Sequence, residues 1–461
     1  MKTQTSADRL LASGHNIHMI GIGGSGMHPI AEILHSRGYR LTGSDNNETE
    51  SLQKIRELGI PVTMGHFPEN VDGSDLVIYS AAIMQDNPEL VSARRQGIPT
   101  MERSYALGAL TRNFDHVIGV CGTHGKTTVT AMITQILIES GLDPTAVIGG
   151  KLPLTGSYGV VGHSDIMVCE SCEYVDTFLK LSPDLCVLLN IDRDHMEYFK
   201  TLQRLKQSFT QFADSAQTVL VNGNDENSMD AVRGLDKKIL TFGITSDCDY
   251  YADHIVYGRK NAGEYDLMYK GKRLCHIRVS VPGRHNISNS VAAAAAAYLY
   301  GAPPEQIAAS QLAFKGAGRR FEILGEIGGI TVADDYAHHP KELEVTLNAA
   351  MGMGYRRVIA VFQPFTYSRT VMLFDDFVRV LQIPDQVVLS EIMGSREVNT
   401  YHIYSSNLCE KLPGAVWFDS FEKIADYVTA QAQPGDLIIT LGCGDIYKAA
   451  KLVIQKLRQQ G

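Results

Sequence analysis

The sequence has no long hydrophobic run. Its most continuous apolar stretch, residues 291–300, falls far short of the roughly 20 residues that a membrane span needs. The first 20 residues carry Asp8, Arg9, His15 and His18 and lack the apolar centre of a signal peptide. A cytoplasmic protein without membrane association is therefore expected. Positive charge is not in excess either. The 42 Lys and Arg stand against 51 Asp and Glu, a net charge of −9, which excludes a nonspecific nucleic-acid binder but not a nucleotide held by a local loop. Internal repeats and low-complexity segments are also lacking, apart from the Ala run at 292–297, which reads as a buried helix. Eight cysteines are present, yet only Cys169 and Cys172 have Cys-x-x-Cys spacing, and no second pair sits where a zinc or redox motif would need it. Buried thiols in a reducing compartment are the simpler reading.

What is there is a long alternating chain. At 461 residues it exceeds one typical core and suggests roughly three domains of about 150 residues. Apolar strands are expected at 16–20, 76–79, 116–120, 166–169, 185–189, 218–221, 357–362, 386–389, 416–419 and 436–441. Helices are expected at 30–36 and 128–140. Strand and helix in alternation predict an α/β fold with mainly parallel sheets covered on both faces. Soft boundaries at 111–115 and 315–318 divide the chain into 1–112, 113–317 and 318–461.

Two glycine-rich segments carry the chemistry. Gly122-Thr123-His124-Gly125-Lys126-Thr127-Thr128 follows a strand and opens a helix, the context of a phosphate-binding loop. Backbone N–H groups there can approach phosphate oxygens, and the helix N-terminus adds positive potential. Lys126 would reach the terminal phosphates and the Thr127 hydroxyl would hold Mg²⁺. The usual spacing asks for a glycine where Val120 stands, so the loop is a shortened variant; the bland alternative is a tight turn that needs glycine. Magnesium takes hard oxygen ligands. Glu170, ending one candidate strand, and His195, just after the next, would face the same sheet edge as the loop.

The first segment, Gly21-Ile22-Gly23-Gly24-Ser25-Gly26, fits G-x-G-x-x-G and is trailed by Asp45. By itself it reads as a dinucleotide fingerprint, and hence an NAD-dependent oxidoreductase. It reports a diphosphate at a helix N-terminus, however, and a UDP-sugar carries one too. Ser80-Ala81 after the strand at 76–79 would form a second wall, or only a small-residue turn. A simple dehydrogenase has no use for the second loop.

Taken in order, residues 21–27, 122–128, Glu170 with Cys172-Glu173-Tyr174, Asp194-His195, His285-Asn286 with Asn289, Arg319-Arg320-Phe321-Glu322 and the run from Asp334 to Pro340 resemble the motifs of the Mur ligases over nearly the whole chain. The resemblance implies an N-terminal Rossmann-like domain for the UDP moiety, a central ATPase domain and a C-terminal Rossmann-like domain bringing the amino acid. It implies ATP as co-substrate, two Mg²⁺ ions, and joining of L-alanine to the lactyl carboxylate of UDP-N-acetylmuramate; a sister activity would attach a recycled tripeptide instead. Gly122, Thr123, His124, Gly125, Lys126, Thr127, Thr128, Asn286, Asn289, Arg320 and Asp335 are then expected at ATP. Thr127 and Glu170 would serve one Mg²⁺ and His195 the second. Gly23, Gly24, Ser25, Gly26, Met27, Asp45, Ser80 and Ala81 are expected at the UDP-sugar. Glu173, Tyr336, His338 and Arg369 are expected on the amino-acid side, with His338 a chemically reasonable base. One departure stands out: Phe365 occupies a place where many members carry His. The sequence carries no signature of an oligomeric state.

Overall fold

The computed structural model describes residues 5–258, 262–395 and 397–460. The chain forms two compact units. One comprises Met1–Ile255, Tyr265–Val279 and Ile287–Lys315; the other comprises Val256–Glu264, Ser280–Asn286 and Gly316–Gly461.

The first unit begins with a parallel five-stranded sheet in the order Val62–Met64, Arg40–Asp45, Asn16–Ile20, Leu76–Tyr79, Thr100–Glu102. Strand Asn16–Ile20 pairs with strands on both sides, so the chain reverses direction of winding there. That topological switch opens a crevice at the carboxyl end of the strand, where the first glycine-rich loop lies. Helix His28–Ser36 follows the loop, two residues earlier than the sequence pattern suggests, with Pro29 in its first turn where a missing N–H costs nothing.

A second, larger sheet has ten strands among the described residues. Strand His116–Cys121 lies between Ile166–Glu170 and Leu185–Leu188, both parallel to it. Three parallel strands thus end side by side at the second glycine-rich loop. Helix Lys126–Glu139 buries Val129, Met132, Ile133, Ile136 and Leu137, and its polar Thr130, Thr134 and Gln135 are buried too. A helix inside on all sides is held by packing rather than by an amphipathic stripe. The Ala run falls in helix His285–Leu299, and Ala292 to Ala297 are fully buried, as expected.

The expectation of parallel strands missed several elements. Thr145–Leu152 and Ser157–Val160 form an antiparallel hairpin on one edge of the large sheet, and Tyr250–Tyr257, Gly263–Tyr269 and Lys272–Val279 extend the other edge. Half of Lys272–Val279 is exposed and the strand is rich in Lys, Arg and His, so it offers no apolar run to read.

The second unit holds a six-stranded sheet in the order Glu322–Ile327, Ile330–Asp335, Asp436–Leu441, Arg357–Phe362, Gln386–Ser390, Val416–Phe418. Only the first pair is antiparallel. Along Arg357–Phe362, Val358, Ala360 and Phe362 pack on one face while Ile359 and Val361 pack on the other. Both faces are covered, which is what a parallel sheet requires. Among the described residues no helix is long and apolar enough to cross a membrane. All eight cysteines are free thiols, and Cys169 and Cys172 do not pair.

Candidate active site

The loop at 122–128 is shaped by its glycines. Gly125 has φ +87° and caps helix Lys126–Glu139 in the left-handed region; a Cβ there would come within 2.8 Å of Asn289 Oδ1. Gly122 has φ +139°, and a Cβ there would press on the Asn190 backbone. Asn190 cradles the loop in return. Its backbone oxygen accepts from Thr123 N at 2.9 Å, its side chain accepts from His124 N at 2.8 Å, and its amide donates to His124 O at 3.0 Å. The Thr123 hydroxyl accepts from Asp192 N at 2.9 Å. Asn190 and Asp192 were not singled out in the sequence as loop supports; nothing local marks them.

Lys126 donates to Gly122 O at 2.5 Å and Thr123 O at 3.0 Å, and lies 2.9 Å from the Glu173 carboxylate. Burial opposes the ammonium charge, but the Glu173, Cys172 and Glu170 charges outweigh it and raise the Lys126 pKa. Glu173, expected on the amino-acid side, is therefore found beside the phosphate loop. Thr127 donates its hydroxyl to Glu170 Oε1 at 3.0 Å, and the Gly149 amide donates to Glu170 Oε2 at 2.7 Å. A Cβ on Gly149 would collide with that carboxylate. A hydroxyl and a carboxylate side by side on a phosphate loop suit a hard divalent cation. Glu173, Asp194 and His195 form a second group, each offering one ligand atom within 4.8 Å of the others. Of the residues expected on the nucleotide side, Asn289 sits at Gly125, and Asn286 at the start of the same helix donates to Pro282 O at 2.6 Å. Thr128 lies in the first turn of the loop helix.

At the first loop, Gly21 has φ +75° and its amide donates to Ser44 O at 2.8 Å. The Gly23 amide donates to Asp45 Oδ2 at 3.0 Å, and Asn47 N donates to Asp45 Oδ1 at 3.0 Å. Both Asp45 oxygens are thus engaged by backbone. Gly24 and Ser25 are exposed, Met27 is buried, and Ser80 stands against Gly21, with its hydroxyl accepting from Ala82 N and Ala81 next to it in the exposed turn. Arg103, at the start of helix Arg103–Thr111, was not predicted. A Cβ on Gly26 would lie 2.8 Å from its Nη1. Burial and the Glu170 charge push the Cys169 thiol up to about 12, against the Arg103 charge, which pulls it the other way.

In the second unit Asp335, Tyr336 and His338 lie at or just past the carboxyl end of strand Ile330–Asp335, and Arg320 stands just before the antiparallel strand Glu322–Ile327. Burial pushes Asp335 up to about 6, against the Arg320 charge and the amides of Ala337 and Phe321 that donate to it at 2.8 and 2.7 Å. Arg320 lies over the Tyr336 ring, 5.3 Å from its centroid. His338 Nδ1 is 3.2 Å from Glu342 Oε2 and 3.1 Å from Tyr336 O. Phe365 places its ring 6.4 Å from that of His338. Arg369 lies in the neighbouring helix Tyr367–Met372. Arg319 is committed to structure, bonded to Asp334 at 2.8 Å and to the Gly442 and Gly444 carbonyls.

A loop of this form, with a lysine, a threonine hydroxyl and converging carboxylates at the ends of parallel strands, defines a nucleoside-triphosphate-dependent enzyme. The chain matches three family models in sequence: the Mur ligase family, catalytic domain, over residues 16–115; the Mur ligase middle domain over 120–297; and the Mur ligase, glutamate ligase domain, over 319–444. The chain belongs to the Mur ligase family, with its three α/β domains. It is 39% identical over 447 residues to a UDP-N-acetylmuramate–L-alanine ligase of Caldanaerobacter subterraneus subsp. tengcongensis, covering 95% of this chain and 97% of the relative. It is 41% identical to the protein of that name from Caldicellulosiruptor saccharolyticus, covering 95% and 98%. The crystal structure of a UDP-N-acetylmuramate–alanine ligase from Thermotoga maritima matches with a TM-score of 0.83 at 27% identity, covering 97% of this chain and all of that one.

Proposed function

We propose that the protein uses ATP to join L-alanine to the lactyl carboxylate of UDP-N-acetylmuramate, in the cytoplasm, with domains at 1–112, 113–317 and 318–461. The observation that carries this reading is the pairing of Thr127 with Glu170 on a phosphate loop, in a chain that also has a separate diphosphate-type loop. Relatives bearing that activity's name, similar over 95% of the chain, support the choice of substrates.

The lactyl carboxylate oxygen attacks the γ-phosphorus, the bond to the β,γ-bridging oxygen breaks, and ADP leaves. The alanine amine then attacks the acyl carbon, the C–O bond breaks, and phosphate departs with one former carboxylate oxygen. Two anions must meet in the first step. The Lys126 ammonium, kept charged by Glu173, offsets part of that repulsion. Loop amides from Gly122 to Thr128 and Asn289 face the phosphates, with Asn286, Arg320 and Asp335 as further nucleotide-side residues. Thr127 with Glu170 would hold one Mg²⁺, and His195 with Glu173 and Asp194 a second; magnesium there supplies charge that neutralises phosphate oxygens. Gly23, Gly24, Ser25, Gly26, Met27, Ser80, Ala81 and Arg103 take the UDP-sugar diphosphate. Asp45 supports that loop, its Oδ2 accepting from the Gly23 amide and its Oδ1 from Asn47 N, and each oxygen keeps a lone pair for the UDP-sugar. Tyr336, His338 and Arg369 take the amino acid, and His338 accepts the ammonium proton.

Labelling the lactyl carboxylate with ¹⁸O tests the chemistry. One labelled oxygen should appear in inorganic phosphate for each peptide bond formed. Unlabelled phosphate would rule out carboxylate activation.

A further inference from the structure

A residue that the chemistry above does not use ties together the two segments that supply the second cation group. Asp176 follows Glu173 by three positions. Its carboxylate accepts from the Tyr198 phenol at 2.7 Å, from Arg204 Nη2 at 2.7 Å and from the Ser208 hydroxyl. All three donors follow His195: Tyr198 lies in the short helix Met196–Phe199, and Arg204 and Ser208 lie in helix Leu202–Ser215.

The backbone on both sides is held in unfavourable conformations. Val175 and Asp176 have φ of +53° and +55°, and His195 has +54°. Two successive non-glycine residues in the left-handed region, one of them β-branched, do not hold that shape unaided. Phe178 anchors the following residues by stacking on Phe212, 4.6 Å between centroids. Tyr174 meets the His195 ring at 4.7 Å. Between these two contacts, the charged carboxylate with three donors is a polar tie across the gap, and only 14% of it is exposed. Charge-assisted bonds of this kind are the strong ones.

We propose that Asp176 is a positioning residue that sets the spacing of Glu173 against Asp194 and His195, and thereby the affinity of that group for a divalent cation. The proposal rests on the reading that this group binds Mg²⁺. Groups that orient metal ligands typically change affinity by about ten-fold or more when removed.

The test is Mn²⁺ binding to the full-length protein without ATP, followed by electron paramagnetic resonance, alongside the Mg²⁺ dependence of turnover. Asp176→Ala should weaken Mn²⁺ binding about ten-fold. It should raise the Mg²⁺ concentration for half-maximal rate by a similar factor and leave the KM for UDP-N-acetylmuramate within about two-fold, with excess Mg²⁺ restoring the rate. Asp176→Asn, which keeps an accepting oxygen, should fall between. Tyr198→Phe, on an exposed side chain, should weaken Mn²⁺ a few-fold and serves if Asp176→Ala does not fold. Unchanged Mn²⁺ affinity in folded Asp176→Ala, or in Tyr198→Phe when the former does not fold, overturns the proposal. Glu173→Gln and His195→Ala separate the two levels. If both bind Mn²⁺ like wild type, the cation reading fails and the proposal with it. If they lose it while Asp176→Ala does not, the tie alone is wrong.

Discussion

The Lys126 ammonium lies 2.9 Å from the carboxylate of Glu173, a side chain only 1% exposed. The phosphate-loop lysine is thereby held charged, and the carboxylate is compensated. Removing one partner strands the other. Lys126→Ala should lower turnover by at least about 100-fold and destabilise the protein by roughly 3 kcal/mol. The double variant Lys126→Ala/Glu173→Gln should be more stable than Lys126→Ala alone, by about 1–3 kcal/mol in urea unfolding. Additive losses would show that the pair is not coupled.

Gly149 touches Glu170 through its amide and has no room for a Cβ. Gly149→Ala should displace the carboxylate from Thr127. Steady-state assays should show kcat reduced about ten-fold or more, with the KM for UDP-N-acetylmuramate little changed. An unaffected kcat would mean that Glu170 need not hold its present position.

Arg103 stands against Gly26 of the first loop. A charge-assisted bond to a diphosphate contributes about 1.5–3 kcal/mol, so Arg103→Ala should raise the KM for the UDP-sugar roughly 10- to 100-fold and spare the KM for ATP. Arg103→Lys should recover only part, since a point charge replaces a planar fork. Equal effects on both substrates would place Arg103 elsewhere in the chemistry.

Asp335 is pushed up by burial from 3.8 to about 6. The native state therefore binds more protons than the unfolded state between pH 4 and 6, and its stability falls as pH rises through that window. Asp335→Asn cannot titrate. The stability of this variant relative to wild type should shift in its favour by about 2–3 kcal/mol from pH 4 to pH 7, with no further change above. A pH-independent difference would contradict the shifted carboxyl.

The phosphate loop, its strand and its helix were legible because one local pattern, glycines followed by Lys-Thr, demands one backbone shape. Glu170 and His195 were legible because parallel strands deliver their carboxyl ends to one edge. Asn190 was not, since its bonds to His124 span 66 positions and an asparagine after a strand looks like any turn residue. Gly149 and Arg103 became visible only when strand and helix brought them against Glu170 and Gly26. The closeness of Glu173 to Lys126 was not legible, because the left-handed turn at Val175 and Asp176 leaves no mark in composition. The hairpin joining Glu322–Ile327 to Ile330–Asp335 did have a signal: Gly328-Gly329, with φ of +57° and +77°, is the two-residue turn such hairpins favour.

Coupling of ATP cleavage at Lys126 to a single acceptor is the central prediction. ADP release in the presence of UDP-N-acetylmuramate and Mg²⁺, with single amino acids or the L-alanyl tripeptide supplied in turn, measures this directly. The account predicts turnover with L-alanine that vanishes when either the alanine or the UDP-sugar is withheld. ADP release that is indifferent to L-alanine, or that responds to the tripeptide alone, would contradict it.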